Sequence, residues 1–321
     1  MIRFAWLQFR LQAAVALGAL ALLAVMLGFT GPHVVHLYDT TVATCATHAK
    51  CSSAITAFQS SFHLLQDLGI LVIVVPALIG IFWGAPLVAR ESETGTNLLV
   101  WTQSITRTRW IATKLCLVGL ASMAVAGLCS LAITWWSSPF DRVGATQFPA
   151  FSQRGVVPIG YAAFAFALGV ATGVLIRRTL PAMAATLVGF VAVRVVVTLW
   201  VRPNLETKIH TIAALHMTPG MGFDQSNNGP ISVVGGHPGD WVFSDHLIDK
   251  SGHAVGGNFF NQGACLTNRG FAACVGKLRE VLVYQPANRY WVFQWYETAI
   301  FLVLALIFGA LTFWWMRRRT S

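Results

Sequence analysis

The chain has 321 residues, 55% hydrophobic and only 11% charged, whereas soluble domains carry about 25% charged residues. That balance excludes an ordinary soluble domain and indicates a membrane protein. The net charge of +10 does not form a polyanion-binding face, because the basic residues gather in a few short segments between apolar runs, a positive-inside pattern.

Residues Met1 to Gln12 read as an interfacial amphipathic helix. Arg3 and Arg10 share one side, and Ile2, Trp6 and Phe9 line another. A first span follows, about Ala13 to Phe29, entering from the cytoplasm. The outer segment Gly31 to Phe62 holds His33, His36 and Asp39, a spacing that could present a metal on a helix. All nine histidines fall in predicted outer segments, so they read as solvated surface residues and no metal site is assigned.

The six cysteines divide by segment. Cys45 and Cys51 share one predicted outer loop, Cys265 and Cys274 another, and Cys116 and Cys129 lie in a span. Close pairs on an oxidising side imply disulfides Cys45–Cys51 and Cys265–Cys274, each contributing roughly 2–3 kcal/mol. The span cysteines read as small packing residues.

A second span, about Leu64 to Val88, delivers the most charged stretch to the cytoplasm. Arg90, Glu91, Glu93, Arg107, Arg109 and Lys114 would be costly in hydrocarbon. Residues Glu93 to Gln103 read as a short surface helix, with Glu91 and Glu93 at its start and Arg107 and Arg109 beyond its end. Thr94 and Thr96 offer capping hydroxyls, while Leu98, Leu99 and Trp101 give an apolar side that needs a protein to dock on.

This run, Glu91-Ser-Glu93-Thr-Gly95-Thr96, then Leu98-Leu99, Thr106-Arg107-Thr-Arg109-Trp110 and Lys114, resembles the loop after the second span of type 2 ABC exporter permeases. In that family E-x-G-T-x-x-x-L marks the coupling helix, seated in a groove of the ATP-hydrolysing subunit. The segments WLQFRLQ and YQPANRYWVFQWYE resemble its actinobacterial branch. The resemblance implies two copies of a partner P-loop ATPase that holds ATP and Mg, and a second permease half, an identical copy forming a homodimer or else a related chain. It implies coupling through Glu91, Glu93, Gly95, Thr96, Leu98, Leu99 and Trp101, and a cavity lined by Phe82, Trp83, Phe190, Val193 and Val197. Arg107 and Arg109 then anchor the loop to lipid phosphate or touch the partner.

Span three covers about Ile111 to Trp136, span four Val157 to Ile176, and span five runs to Trp200 after a tight turn at Arg177-Arg178-Thr-Leu-Pro181. Arg194 in span five and Glu297 in span six stand at similar depths below their outer ends. An intramembrane ion pair between them is expected, with Asp67 as runner-up partner, either static or breaking as the cavity opens. Residues 202–290 form the outer domain, a lid or a spacer. Trp241 to Gly252 reads as a strand into a turn, and Thr267 to Tyr284 as a helix. Residues 291–321 hold span six and the basic tail Arg317-Arg318-Arg319, and 13–201 hold spans one to five.

The fold class expected is an all-α polytopic membrane protein: six transmembrane helices, both termini cytoplasmic, and a small disulfide-bonded extracytoplasmic domain. No G-x-x-x-x-G-K-[ST] run occurs, and no nucleophile stands beside a positioned base, so neither an ATPase nor another enzyme is indicated. No cofactor is expected in this chain. The reading is a permease subunit in a bacterial cytoplasmic membrane that exports a hydrophobic or amphipathic molecule such as a drug, antibiotic, lipid or lipopeptide, including multidrug efflux. The alternative is a membrane sensor or immunity scaffold whose outer domain binds a peptide or metal without transport.

Overall fold

Long apolar runs become helices in a bilayer because only intra-segment hydrogen bonds satisfy the backbone there. The computed structural model describes residues 2–42, 69–93, 107–143, 147–215, 222–225, 230–234, 237, 239–256, 259 and 273–318. Among them are 6 helices long and apolar enough to cross a membrane, one overlapping each expected span.

Helix α1 (Ile2–Leu37) runs without a break into a π turn, Tyr38–Val42. No helix end falls at the expected boundary between an interfacial helix 1–12 and span one. Leu11, Gln12, Ala13 and Ala14 are good helix formers with nothing between them to end a helix. His33 and His36 lie on its last turns, and Asp39 in the π turn. At 36 residues α1 is about 54 Å long, well beyond the hydrocarbon thickness.

Span two consists of α2 (Gly69–Ile79), a π turn at Gly80–Gly84, and α3 (Pro86–Glu93). Span three is α4 (Arg107–Trp136), followed by the short α5 (Ser138–Val143). Span four, α6 (Val157–Ile176), is the hub of the bundle and is buried along almost its whole length. Small residues make that position possible. A Cβ on Gly169 would stand 2.4 Å from the Gly80 carbonyl oxygen, and one on Gly173 would stand 2.5 Å from that of Ala85. The π turn of span two thus lies directly against α6, backbone to backbone. Span five is α7 (Thr179–Val196), extended by a π turn at Val197–Val201 and a 3₁₀ turn at Arg202–Asn204. Span six is α8 (Tyr290–Arg318).

Between spans five and six the chain forms sheet, so the fold is mostly helical rather than all-α. Strands β1 (Ile209–Ala214), β5 (Arg279–Gln285) and β4 (Trp241–Ile248) make an antiparallel sheet in the order β1-β5-β4. Strands β2 (Gly222–Gln225) and β3 (Ile231–Val234) pair separately. The helix expected over Thr267 to Tyr284 is corrected over its second half, which is β5. Glu280 and Leu282 are both buried, a period of two, and Val281, Val283 and Tyr284 favour an extended chain. The insertion has its own core of Leu215, Ile231, Val233, Leu247, Val255, Val275 and Leu278. It is joined to the bundle by Trp241, which stacks on Phe148 at 5.5 Å and meets Phe293 edge-on at 6.0 Å. Cys274 is disulfide-bonded, while Cys116 and Cys129 are free thiols. Cys45, Cys51 and Cys265 lie outside the described residues.

Candidate functional site

At the end of the bundle opposite the sheet, α6 closes on Arg177, whose left-handed conformation (φ 57°) turns the chain straight into α7. Thr179 begins α7 with an unpaired helix-terminal N–H, and α3 ends beside it. The Glu93 carboxylate accepts that N–H at 2.9 Å with one oxygen and the Thr179 hydroxyl at 2.6 Å with the other. These two hydrogen bonds, aided by nearby Arg178, hold the Glu93 carboxyl below its ordinary range. Behind them Ala85, just before α3, and Ala89 of α3 pack on Ala182 of α7, all three fully buried. Thr172 of α6 and Thr186 of α7 share a 2.7 Å hydrogen bond. The ends of spans two, four and five are therefore clamped together, and the clasp is Glu93.

Glu91 and Glu93 occupy the last turn of α3, not the first turn of a new helix as expected, because Pro86 to Glu93 continues the span without a breaker. Gly95, Thr96, Leu98, Leu99 and Trp101 lie outside the described residues. Arg107 and Arg109 belong to the first turn of α4 rather than to a loop. Phe82 and Trp83 line an apolar cavity of about 580 Å³ between α1 and α2, with Leu11, Leu20, Leu78 and Val125. Phe190 and Val197 do not line it; both are buried in the core with Tyr161, Phe164 and Phe301, and Val193 packs against the same core.

Toward the sheet end lies a buried polar cluster. Glu297 and Tyr161 are fully buried, and the tyrosine hydroxyl donates a hydrogen bond to the carboxylate. Arg202 holds Glu297 in a bidentate pair, Nε to Oε2 at 2.6 Å and Nη2 to Oε1 at 2.8 Å, and also reaches Ser152 at 3.0 Å. The expected Arg194–Glu297 pair is thus corrected: Glu297 has taken Arg202, and Arg194 stacks on the Tyr161 ring at 3.9 Å. The π turn at Val197–Val201 extends span five and turns Arg202 inward, which a count of residues along a regular helix does not anticipate. Asp67 lies outside the described residues.

Next to this cluster Gln294 fastens α8 to α6. Its Oε1 accepts the N–H groups of Val156 and Val157 at 3.0 and 3.1 Å. Its Nε2 donates to Phe151 and Arg154 carbonyls and to the Tyr290 hydroxyl. Arg154 forms a second bidentate pair with Asp141 at 2.7 and 3.0 Å. None of Tyr161, Arg202 or Gln294 was marked by the sequence, where only their polarity beside an apolar run could have signalled them.

A family model described as ABC-2 membrane transporter related matches residues 17–202, more than half of the chain. The chain belongs to that family. No curated protein and no solved structure matches it. As an ABC-2 permease it is a multi-pass, non-catalytic transmembrane subunit of an ABC transporter, of a family that works with an ATPase subunit. The matched region covers spans one to five and ends at Arg202, the residue that grips Glu297 of span six.

Proposed function

We propose that this permease exports a hydrophobic or amphipathic small molecule (a drug, antibiotic, lipid or lipopeptide) across a bacterial cytoplasmic membrane, driven by a separate ATPase. The Glu93–Thr179 clasp carries this reading. The 93–103 segment docks on the ATPase, and Glu93, at its root, is bonded to the first residue of span five. Displacement of the segment therefore pulls on α7 directly and on the glycine-lined π turn of span two behind it. Pi turns concentrate at functional positions because one extra residue per turn can be gained or lost with little change elsewhere.

In this account Arg90, Arg177, Arg178, Arg317 and Arg318 mark the cytoplasmic face together with both termini, and the sheet stands outside as a lid, closed by a Cys265–Cys274 disulfide. Two ATPase copies carrying ATP and Mg serve a permease homodimer. Gly95, Thr96, Leu98, Leu99 and Trp101 supply the docking surface, with Glu91 at its edge, and Arg107 and Arg109 hold the start of α4 at the lipid headgroups.

The test is purification of the tagged chain from its native host, with labelling of a Thr96→Cys variant from each side of the membrane. A P-loop ATPase is expected to accompany the chain, and Thr96→Cys is expected to react only from the cytoplasmic side. Labelling from outside, or consistent absence of an ATPase, would overturn the reading.

A further inference from the structure

Around Tyr161, among the described residues, two guanidinium groups face one carboxylate. Arg194 and Arg202 bring two guanidinium groups, and Glu297, the carboxylate that faces them, is fully engaged by Arg202 and Tyr161. Another acid described at this end, Asp141, is committed to Arg154. Among the described residues Arg194 donates no hydrogen bond and only stacks on Tyr161, and its Nη1 is enclosed without an acceptor. A cation left this way inside a membrane bundle is costly unless an anion joins it.

Beside Arg194 on α7 runs an apolar track. Leu187, Val191 and Val195 are 42%, 46% and 48% exposed, spaced four apart, so they form a stripe that leads up to the guanidinium. Arg194 lies ten residues short of the end of the span at Asn204, about 15 Å along the helix, deeper than the phosphates of a resting bilayer.

We propose that Arg194 anchors the head of an acidic amphiphile, a molecule with one carboxylate and a hydrocarbon tail that lies along Leu187, Val191 and Val195. Its depth assigns the occupant to the exported class rather than to bilayer lipid, and to that extent the proposal rests on the exporter reading. The carboxylate completes the ion count around Tyr161 among the described residues, and the Arg194 side chain, although mostly buried, keeps a partly exposed edge toward the lipid side.

The chain reconstituted in phosphatidylcholine nanodiscs is titrated with 9,10-dibromostearate, and quenching of tryptophan fluorescence is read; Trp200, exposed six residues beyond Arg194, is a nearby reporter. Saturable quenching is expected, with roughly tenfold weaker affinity in Arg194→Gln, the loss of one charge-assisted contact, and partial recovery in Arg194→Lys. Without the acid, Arg194→Gln is expected to melt at or above the wild-type temperature, because it removes a buried cation with no anion bonded to it among the described residues. Equal affinity of Arg194→Gln and wild type would overturn the proposal. So would quenching by brominated phosphatidylglycerol without quenching by the fatty acid, which would assign the site to bilayer lipid. No ATPase takes part, so acid binding that depends on Arg194 stands even if no ATPase accompanies the chain, and its failure leaves the coupling account untouched.

Discussion

Glu297 receives three hydrogen bonds from Tyr161 and Arg202 in a fully buried position. Removing one partner from such a pair strands the other charge, so Glu297→Gln is expected to cost about 3–5 kcal/mol and to lower the melting temperature in detergent. The double variant Glu297→Gln with Arg202→Gln is expected to recover part of that loss, measured as a double-mutant cycle. In the sheet insertion, burial raises the Asp245 carboxyl to about 6, aided by the neighbouring Glu280, although Asp245 accepts the Val233 N–H at 2.8 Å. His237 is bonded to the same Glu280 at 2.9 Å. A folded value above the unfolded one, about 3.9, means that the fold binds the extra proton. The stability it contributes is complete below pH 4 and is lost as pH rises through 6. The insertion is therefore expected to resist proteolysis better at pH 5 than at pH 7.5, and Asp245→Asn, which keeps the acceptor, is expected to abolish the difference. At this scale the sequence showed that Glu297 needed a cation, because an acid in an apolar run stands out. It could not show which cation, because Arg202 reaches the bundle only through a π turn that no residue pattern marks.

The elements were legible in proportion to their apolar length. Each span could be found because about 20 apolar residues leave few alternatives in a chain so poor in charge. Boundaries set by polarity alone were less secure: α1 runs through both the expected break at Gln12 and the Gly31-Pro32 pair, since hydrogen bonding and not polarity decides where a helix ends. Strand β5 was hidden because Leu278, Val281 and Leu282 also fit a helical spacing, and only pairing to β1 and β4 resolves it. Helix packing is more exacting. A Cβ at Gly169 would meet the Gly80 carbonyl and the Ala85 amide, whereas one at Gly309 meets nothing within 4 Å. Gly169→Ala is expected to destabilise the bundle by about 1–3 kcal/mol, while Gly309→Ala is expected to leave thermal stability unchanged, both read by thermal unfolding.

In the whole molecule the polar contacts concentrate at two levels, with apolar packing between them. One level ties Glu93 to Thr179, and the other ties spans four, five and six through Tyr161, Arg202, Glu297 and Gln294. The sheet is stitched to the second level, with Gln285 donating to the Glu206 carbonyl at 2.9 Å and Arg289 to that of Thr207 at 2.8 Å. A pull on span five at Thr179 would reach both the buried cluster and the sheet. The most direct measurement places an environment-sensitive fluorophore on a cysteine at exposed Leu180, one residue beyond the clasp, in the chain bound to its ATPase. A non-hydrolysable ATP analogue is expected to change the emission when Glu93 is present and to leave it unchanged in Glu93→Ala, with the complex still intact. An undiminished change in that variant would contradict transmission through Glu93.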